Sequence, residues 1–97
     1  MTLRVRGDAK KLEELAAKHP EVPKGISDRG REAGAISHHF YGNDDEILVV
    51  DEWPDEETFR GFFDASPEIA GLMQEVGVTS QPEITFWRKL ETHDDIG

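Results

Sequence analysis

Two apolar-rich segments separated by a turn constrain this chain most, because together they predict a β-hairpin. Residues 35–41 and 46–53 are rich in β-branched and aromatic residues, which favour strands. The four residues between them, Gly42-Asn43-Asp44-Asp45, form a strong turn signal. The turn predicts that residue 41 pairs with 46, residue 39 with 48 and residue 36 with 51.

Both faces of this hairpin carry large apolar side chains, because successive residues of a strand point to opposite sides. One face holds Ile36, His38, Phe40, Ile47, Val49, Asp51 and Trp53. The other holds Ala35, Ser37, His39, Tyr41, Leu48, Val50 and Glu52. A last predicted strand, residues 83–90, repeats the pattern with Ile84, Phe86 and Leu90 opposite Trp87.

The remaining elements predict an α+β domain. A strand is expected at residues 2–6 and a helix at 9–19, whereas residues 21–33 fit either a loop or a second short helix that ends at Gly34. Helices are expected after Pro54 and from Ser66 to Val76. The resulting βαββαβ order is ferredoxin-like, with a four-stranded antiparallel sheet and helices on one face. Residues 1–91 form this single domain, and residues 92–97 a flexible tail.

The helices of such a domain cover only one sheet face, so the second apolar face needs another cover. A second copy of the chain, stacked sheet on sheet, is the simplest one. The sequence therefore predicts a homodimer.

Composition excludes several classes of protein. The chain has no cysteine, which excludes disulfides, a thiolate nucleophile and cysteine-ligated metals. No apolar run approaches the roughly 20 residues of a membrane span, and the N-terminus has no apolar signal region. A net charge of −10 argues against nucleic acid as a partner. We therefore expect a cytoplasmic protein that binds neither membrane nor nucleic acid.

The segment Ile47-Leu48-Val49-Val50-Asp51-Glu52-Trp53-Pro54-Asp55-Glu56-Glu57-Thr58-Phe59 resembles the strand-to-helix signature of the antibiotic biosynthesis monooxygenase-like family, of the dimeric α+β barrel superfamily. Ser66-Pro67-Glu68 and Pro82-Glu83-Ile84 also fit in order and spacing, so the resemblance covers about residues 35–90. It implies a cavity lined by aromatic residues between sheet and helices. It also implies an apolar or aromatic ligand and, in some members, cofactor-independent oxygenation. The segment at residues 20–33 departs from the shortest members and is a candidate to alter the mouth of that cavity.

His38 and Asp51 are the first candidates for chemistry, because they lie diagonally across one hairpin face. A carboxylate beside an imidazole orients the ring for acid–base work. Trp53 and Phe40 share that face and suit stacking on a flat aromatic substrate, and Phe63 is a further substrate-binding candidate. A structural hydrogen-bonded pair in the core is the alternative.

The opposite hairpin face offers a competing pair, His39 and Tyr41, which suit either oxyanion stabilisation or a dimer interface. The sequence leaves open which face meets the helices. Arg88 alternates with apolar residues and is a candidate for holding an anionic group or for a salt bridge. His38 with Asp51 gives only two metal ligands, and no glycine-rich phosphate loop is present, so no metal or cofactor is expected. Haem held by an axial histidine stays an open alternative. Isomerisation by the histidine–aspartate pair and non-catalytic or stress-associated ligand binding remain the alternative functions.

Overall fold

The computed structural model describes residues Met1–Gly97 and shows an α+β domain with four strands and four helices. The strands are β1 (Thr2–Arg6), β2 (Ser37–Gly42), β3 (Glu46–Glu52) and β4 (Glu83–Thr85). The helices are α1 (Ala9–Lys18), α2 (Glu21–Ala33), α3 (Glu56–Asp64) and α4 (Pro67–Glu75). The sheet has the order β2-β3-β1-β4, and every neighbouring pair is antiparallel. This confirms the α+β class and the four-stranded antiparallel sheet, and it is compatible with a ferredoxin-like fold.

The hairpin forms where predicted, but its register differs by two residues. Tyr41 pairs with Leu48 instead of Glu46, and His38 lies directly opposite Asp51 rather than diagonal to it. The cause is Asn43, whose side-chain oxygen accepts hydrogen bonds from two backbone amides beyond it, at 3.2 and 2.9 Å. This side chain closes the turn one residue later than expected. A shift of two leaves every side chain on its predicted face.

The helices cover the face of the sheet that carries Ile47, which we call the covered face. The buried cluster on this face joins Leu3 and Val5 of β1 and Ile47 of β3 to Leu12 of α1 and to Val76, just after α4. Each buried aliphatic side chain of this size contributes about 1.5–3 kcal/mol by its removal from water. Helix packing therefore selects one of two apolar faces.

The other face, which we call the open face, carries the alternate residues of the same strands. Tyr41 is 57% exposed, and Leu48 and Val50 are only partly buried. Arg4 crosses this face between the carboxylates of Glu46, at 3.5 Å, and Glu83, at 2.7 Å. The hydrogen bond and charge of Glu83 raise the pKa of the Arg4 guanidinium above its ordinary value.

Local capping accounts for where the helices begin and end. Asp8 accepts hydrogen bonds from two amides of the first turn of α1, and Asp55 accepts from the amide of Thr58 in α3. Residues 21–33 form a helix, the second of the two structures predicted for them, and Gly34 ends it with a φ of 123°. Glycine adopts this conformation without strain.

Strand β4 is shorter than the predicted strand of residues 83–90, because its only neighbour, β1, pairs with Glu83 to Thr85 alone. Trp87 lies beyond it, 69% exposed, and donates a 2.9 Å hydrogen bond to Thr2 Oγ1. Arg88, which the sequence places within the longer strand, is exposed for the same reason.

None of the four helices combines the length and the apolar character that crossing a bilayer requires. The longest, α2, has 13 residues.

Candidate functional site

A cavity of about 100 Å³ lies between the covered face of the sheet and the helices. Strands β1, β2 and β3 form its floor, and all four helices contribute to its walls. Most of its lining is apolar, and it contains no lysine or arginine. The resemblance implied a cavity at this place in the fold, and the described residues form one.

The most polar part of the cavity wall is a chain of three side chains. His38 Nδ1 lies 2.6 Å from Asp51 Oδ1, and Trp53 Nε1 donates to Asp51 Oδ2 at 3.0 Å. The side chain of Asp51 is only 8% exposed, whereas that of His38 is 29% exposed. A carboxylate removed from water is costly unless its oxygens accept hydrogen bonds, and here both do.

Strand pairing brings these three side chains together. His38 and Asp51 occupy directly opposed positions of β2 and β3, where side chains on one face come close enough to interact. Trp53 follows two residues after Asp51, on the same face. Its ring packs against the rings of Phe59 and Phe62 in α3, with centroid distances of 5.6 and 5.5 Å. Packing of the indole therefore holds its N–H against the carboxylate.

The hydrogen bonds assign the proton of neutral His38 to Nδ1, because Asp51 Oδ1 is an acceptor. The other ring nitrogen, Nε2, is then an unprotonated acceptor. A base in this arrangement can take a proton from a ligand, and Asp51 stabilises the imidazolium that forms.

The structure brings five of the eight sequence-predicted site residues together. His38, Asp51, Trp53, Phe40 and Phe63 all line the cavity. The ring of Phe40 stands edge-on to that of His38, with 4.8 Å between the ring centroids, and shields it from one side.

The other three predicted site residues lie elsewhere. His39 and Tyr41 are exposed on the open face, and Arg88 is exposed beyond β4. None of them lines the cavity. The question that the sequence left open, which hairpin face meets the helices, is therefore answered in favour of the His38 face.

One wall of the cavity comes from α2, in the segment that the sequence connected with the mouth of the cavity but from which it named no site residue. Pro23, Ile26, Ser27 and Gly30 line the cavity from this helix. Their spacing of i, i+3, i+4 and i+7 is that of one helix face. Pro23, Gly25 and Gly30 weaken the helical pattern, so the signal is visible only once residues 21–33 are taken as a helix.

Metal ligation has little support from the geometry. No three histidine, aspartate or glutamate side chains lie close enough together to hold an ion. His38 with Asp51 supplies two ligands, fewer than the three or four protein ligands of a usual zinc site.

We compared the chain with models of protein families, with curated proteins and with solved structures, and none of them matched. The resemblance to the antibiotic biosynthesis monooxygenase-like family therefore stays a prediction, carried by the residues of the β3–α3 segment.

Proposed function

We propose that this chain is a cytoplasmic homodimeric protein of the dimeric α+β barrel type. Each subunit binds an apolar aromatic molecule in the cavity and acts on it as a cofactor-independent monooxygenase. The observation that carries the catalytic part is the His38–Asp51–Trp53 chain. It places one oriented base in an otherwise apolar space.

The proposed reaction begins with proton transfer from a phenol to His38 Nε2. Asp51 offsets the charge of the imidazolium, and the apolar lining keeps water away from the phenolate. The electron-rich ring then reacts with dioxygen at a carbon para to the oxygen. One oxygen atom becomes the second carbonyl of a quinone, and the other leaves as water with the two hydrogens lost by the phenol. The phenol supplies all four electrons, so no further reductant is needed.

Support for the homodimer comes from the open face. Tyr41, Leu48 and Val50 form an apolar surface that no helix covers, and Trp87 stands 69% exposed beside it. A two-fold axis through this face would pack it against itself, with the Arg4–Glu46 and Arg4–Glu83 pairs towards its β4 side. Tyrosine and tryptophan are residue types enriched at interfaces.

Oxygen uptake with a panel of phenols tests the reaction. We expect uptake by the wild-type protein, loss of at least about a hundredfold in His38→Gln, and wild-type rates in His39→Gln. The two variants change neighbouring residues on opposite faces, so they separate a base in the cavity from a general effect of losing a histidine. Phenol binding without oxygen uptake would instead indicate a ligand-binding protein. Rearranged product without oxygen uptake would indicate an isomerase.

Sedimentation tests the dimer. We expect the wild-type protein to sediment as a dimer at micromolar concentration, and Tyr41→Asp to shift it to a 10.9 kDa monomer. Val22→Asp, which adds the same charge at a partly exposed apolar position of α2, should leave the dimer intact. A wild-type protein that sediments only as a monomer would refute this part of the proposal.

A further inference from the structure

The cavity contains few side chains with hydrogen-bonding capacity to spare. Both carboxylate oxygens of Asp51 and the indole N–H of Trp53 are occupied by their mutual contacts and by His38. Two polar side chains of the lining keep a free group, His38 through Nε2 and Ser27 through its hydroxyl. They belong to different layers, since His38 lies on β2 of the sheet and Ser27 on α2.

Ser27 lies inside a helix. A hydroxyl there can bond back to the carbonyl four residues earlier, a bond that Ser66, just beyond the end of α3, makes to Phe62 at 2.7 Å. Ser27 makes no hydrogen bond with the protein, although it lies on the helix face formed by Pro23, Ile26 and Gly30. It is the one polar side chain on the part of α2 that lines the cavity.

Size and charge restrict what the cavity admits. An enclosed apolar cavity of about 150 Å³ binds benzene, so a cavity of about 100 Å³ takes one ring only by using its open side and has no room for a polycyclic system. A carboxylate or phosphate would find no lysine or arginine here, and it would lie beside the carboxylate of Asp51. The α-ammonium of the lining residue Met1 is already bound to the carbonyl oxygen of Asp51 at 2.8 Å, so the cavity favours a neutral ligand.

We propose that Ser27 is the second polar contact of the ligand, across the cavity from His38. The ligand is then a neutral single-ring phenol whose hydroxyl meets His38 and whose second substituent accepts a hydrogen bond from Ser27. The inference rests on the proposed function, because it requires the cavity to bind a ligand at His38. It makes Ser27 a specificity-determining residue.

Isothermal titration calorimetry with ring compounds of matched size tests this assignment. The probes are toluene, the three cresols, the three methoxyphenols and 3-hydroxybenzoate, each titrated into wild type, Ser27→Ala, Ser37→Ala and His38→Gln. Ser37 lies next to His38 on β2 but outside the cavity lining, so Ser37→Ala is the matched control. Alanine is a better helix former than serine, so Ser27→Ala should fold.

We expect cresols to bind more tightly than toluene in wild type, and this preference to disappear in His38→Gln. At least one methoxyphenol should bind about fivefold more tightly than the cresol of the same substitution pattern, the value of one ordinary hydrogen bond. Ser27→Ala should abolish that advantage without weakening cresol binding, and Ser37→Ala should keep it. The position of the favoured methoxy group then reports the spacing between the two contacts.

Two kinds of failure are distinguishable. If cresols bind through His38 but no methoxyphenol has an advantage, or Ser27→Ala preserves it, the role of Ser27 is refuted and the proposed function stands. Tighter binding of 3-hydroxybenzoate than of the cresols refutes the neutral class in the same way. If no phenol binds at all, both proposals fail.

Discussion

The covered and open faces of the sheet are built from the same strands, and they differ in what happens to polar side chains. On the covered face, His38 and Asp51 meet at 2.6 Å with Trp53 bound to the second carboxylate oxygen. On the open face, the next residues along each strand, His39 and Glu52, are exposed. Strand pairing sets His38 opposite Asp51, whereas His39 lies opposite Val50, and helix packing then encloses only the His38 face.

The difference shows how burial gives a polar residue its role. A carboxylate in water has many partners and no fixed geometry, whereas Asp51, at 8% side-chain exposure, is restricted to the donors that the fold brings to it. Neighbouring residues on one strand thus form natural pairs of test and control variants.

The largest expected effect compares Ile47 with Leu48. Ile47 is 4% exposed on the covered face, so Ile47→Ala should lower the free energy of unfolding by about 3 kcal/mol, through lost burial and a cavity. Leu48→Ala on the open face should cost about 1 kcal/mol when the protein is dilute. Urea unfolding at several protein concentrations measures both values.

The same experiment sharpens the distinction between the faces. If the open face forms the dimer interface, the cost of Leu48→Ala should grow with protein concentration, because association stabilises only the folded state. The cost of Ile47→Ala should not. Equal costs for the two substitutions at all concentrations would show that the faces are not energetically different.

A smaller effect is expected at the next pair, Asp51 and Glu52. Asp51→Ala removes the acceptor of two hydrogen bonds and should lower the free energy of unfolding by about 2 kcal/mol. Glu52→Ala, at an exposed position, should change it by less than about 0.5 kcal/mol. Chemical denaturation followed by tryptophan fluorescence checks both. A cost for Asp51→Ala no greater than for Glu52→Ala would mean that the three-residue chain does not stabilise the fold.

The smallest effect concerns the start of α3, which carries Phe59, Phe62 and Phe63 to the covered face. Hydrogen bonds from the side chain and the amide of Thr58 lower the pKa of Asp55 below its ordinary value. Ionised Asp55 therefore favours the folded state at pH values above about 4, and this contribution is lost as the pH falls through the lowered pKa.

Thermal unfolding of Asp55→Asn and wild type between pH 7 and pH 3 measures this contribution. Asparagine also caps helices but has no charge to lose, so wild type should be more stable by a few degrees in Tm at pH 7. The difference should shrink below pH 4. A constant difference over this range would contradict the role of the charge.

Local signals predicted most of the elements. Asp8 and Asp55 mark helix starts, and Gly34 marks a helix end, because each satisfies backbone groups within a few residues. The predicted hairpin register differs from the observed one by two residues, because the side chain of Asn43 sets the turn. The predicted length of strand β4 is too great, because the length of a strand depends on its partner. The only partner of β4, β1, pairs with just three residues.

The candidate site also has a part that the sequence could place and a part that it could not. His38, Asp51 and Trp53 could be placed on one face from alternation alone, since that depends only on chain geometry. Ser27 could not be connected with them, because alternation along a strand does not say which side of the preceding helix, α2, packs over the sheet; tertiary packing decides that.

The sequence by itself determined that the hairpin carries apolar side chains on both faces, where most helices begin and end, and which side chains share a side. These properties follow from backbone geometry and from hydrogen bonds between near neighbours. Only the tertiary structure decided that Leu12 and Val76 pack against Leu3, Val5 and Ile47. That choice depends on contacts between distant segments, and it places His38 inside the cavity and His39 outside it.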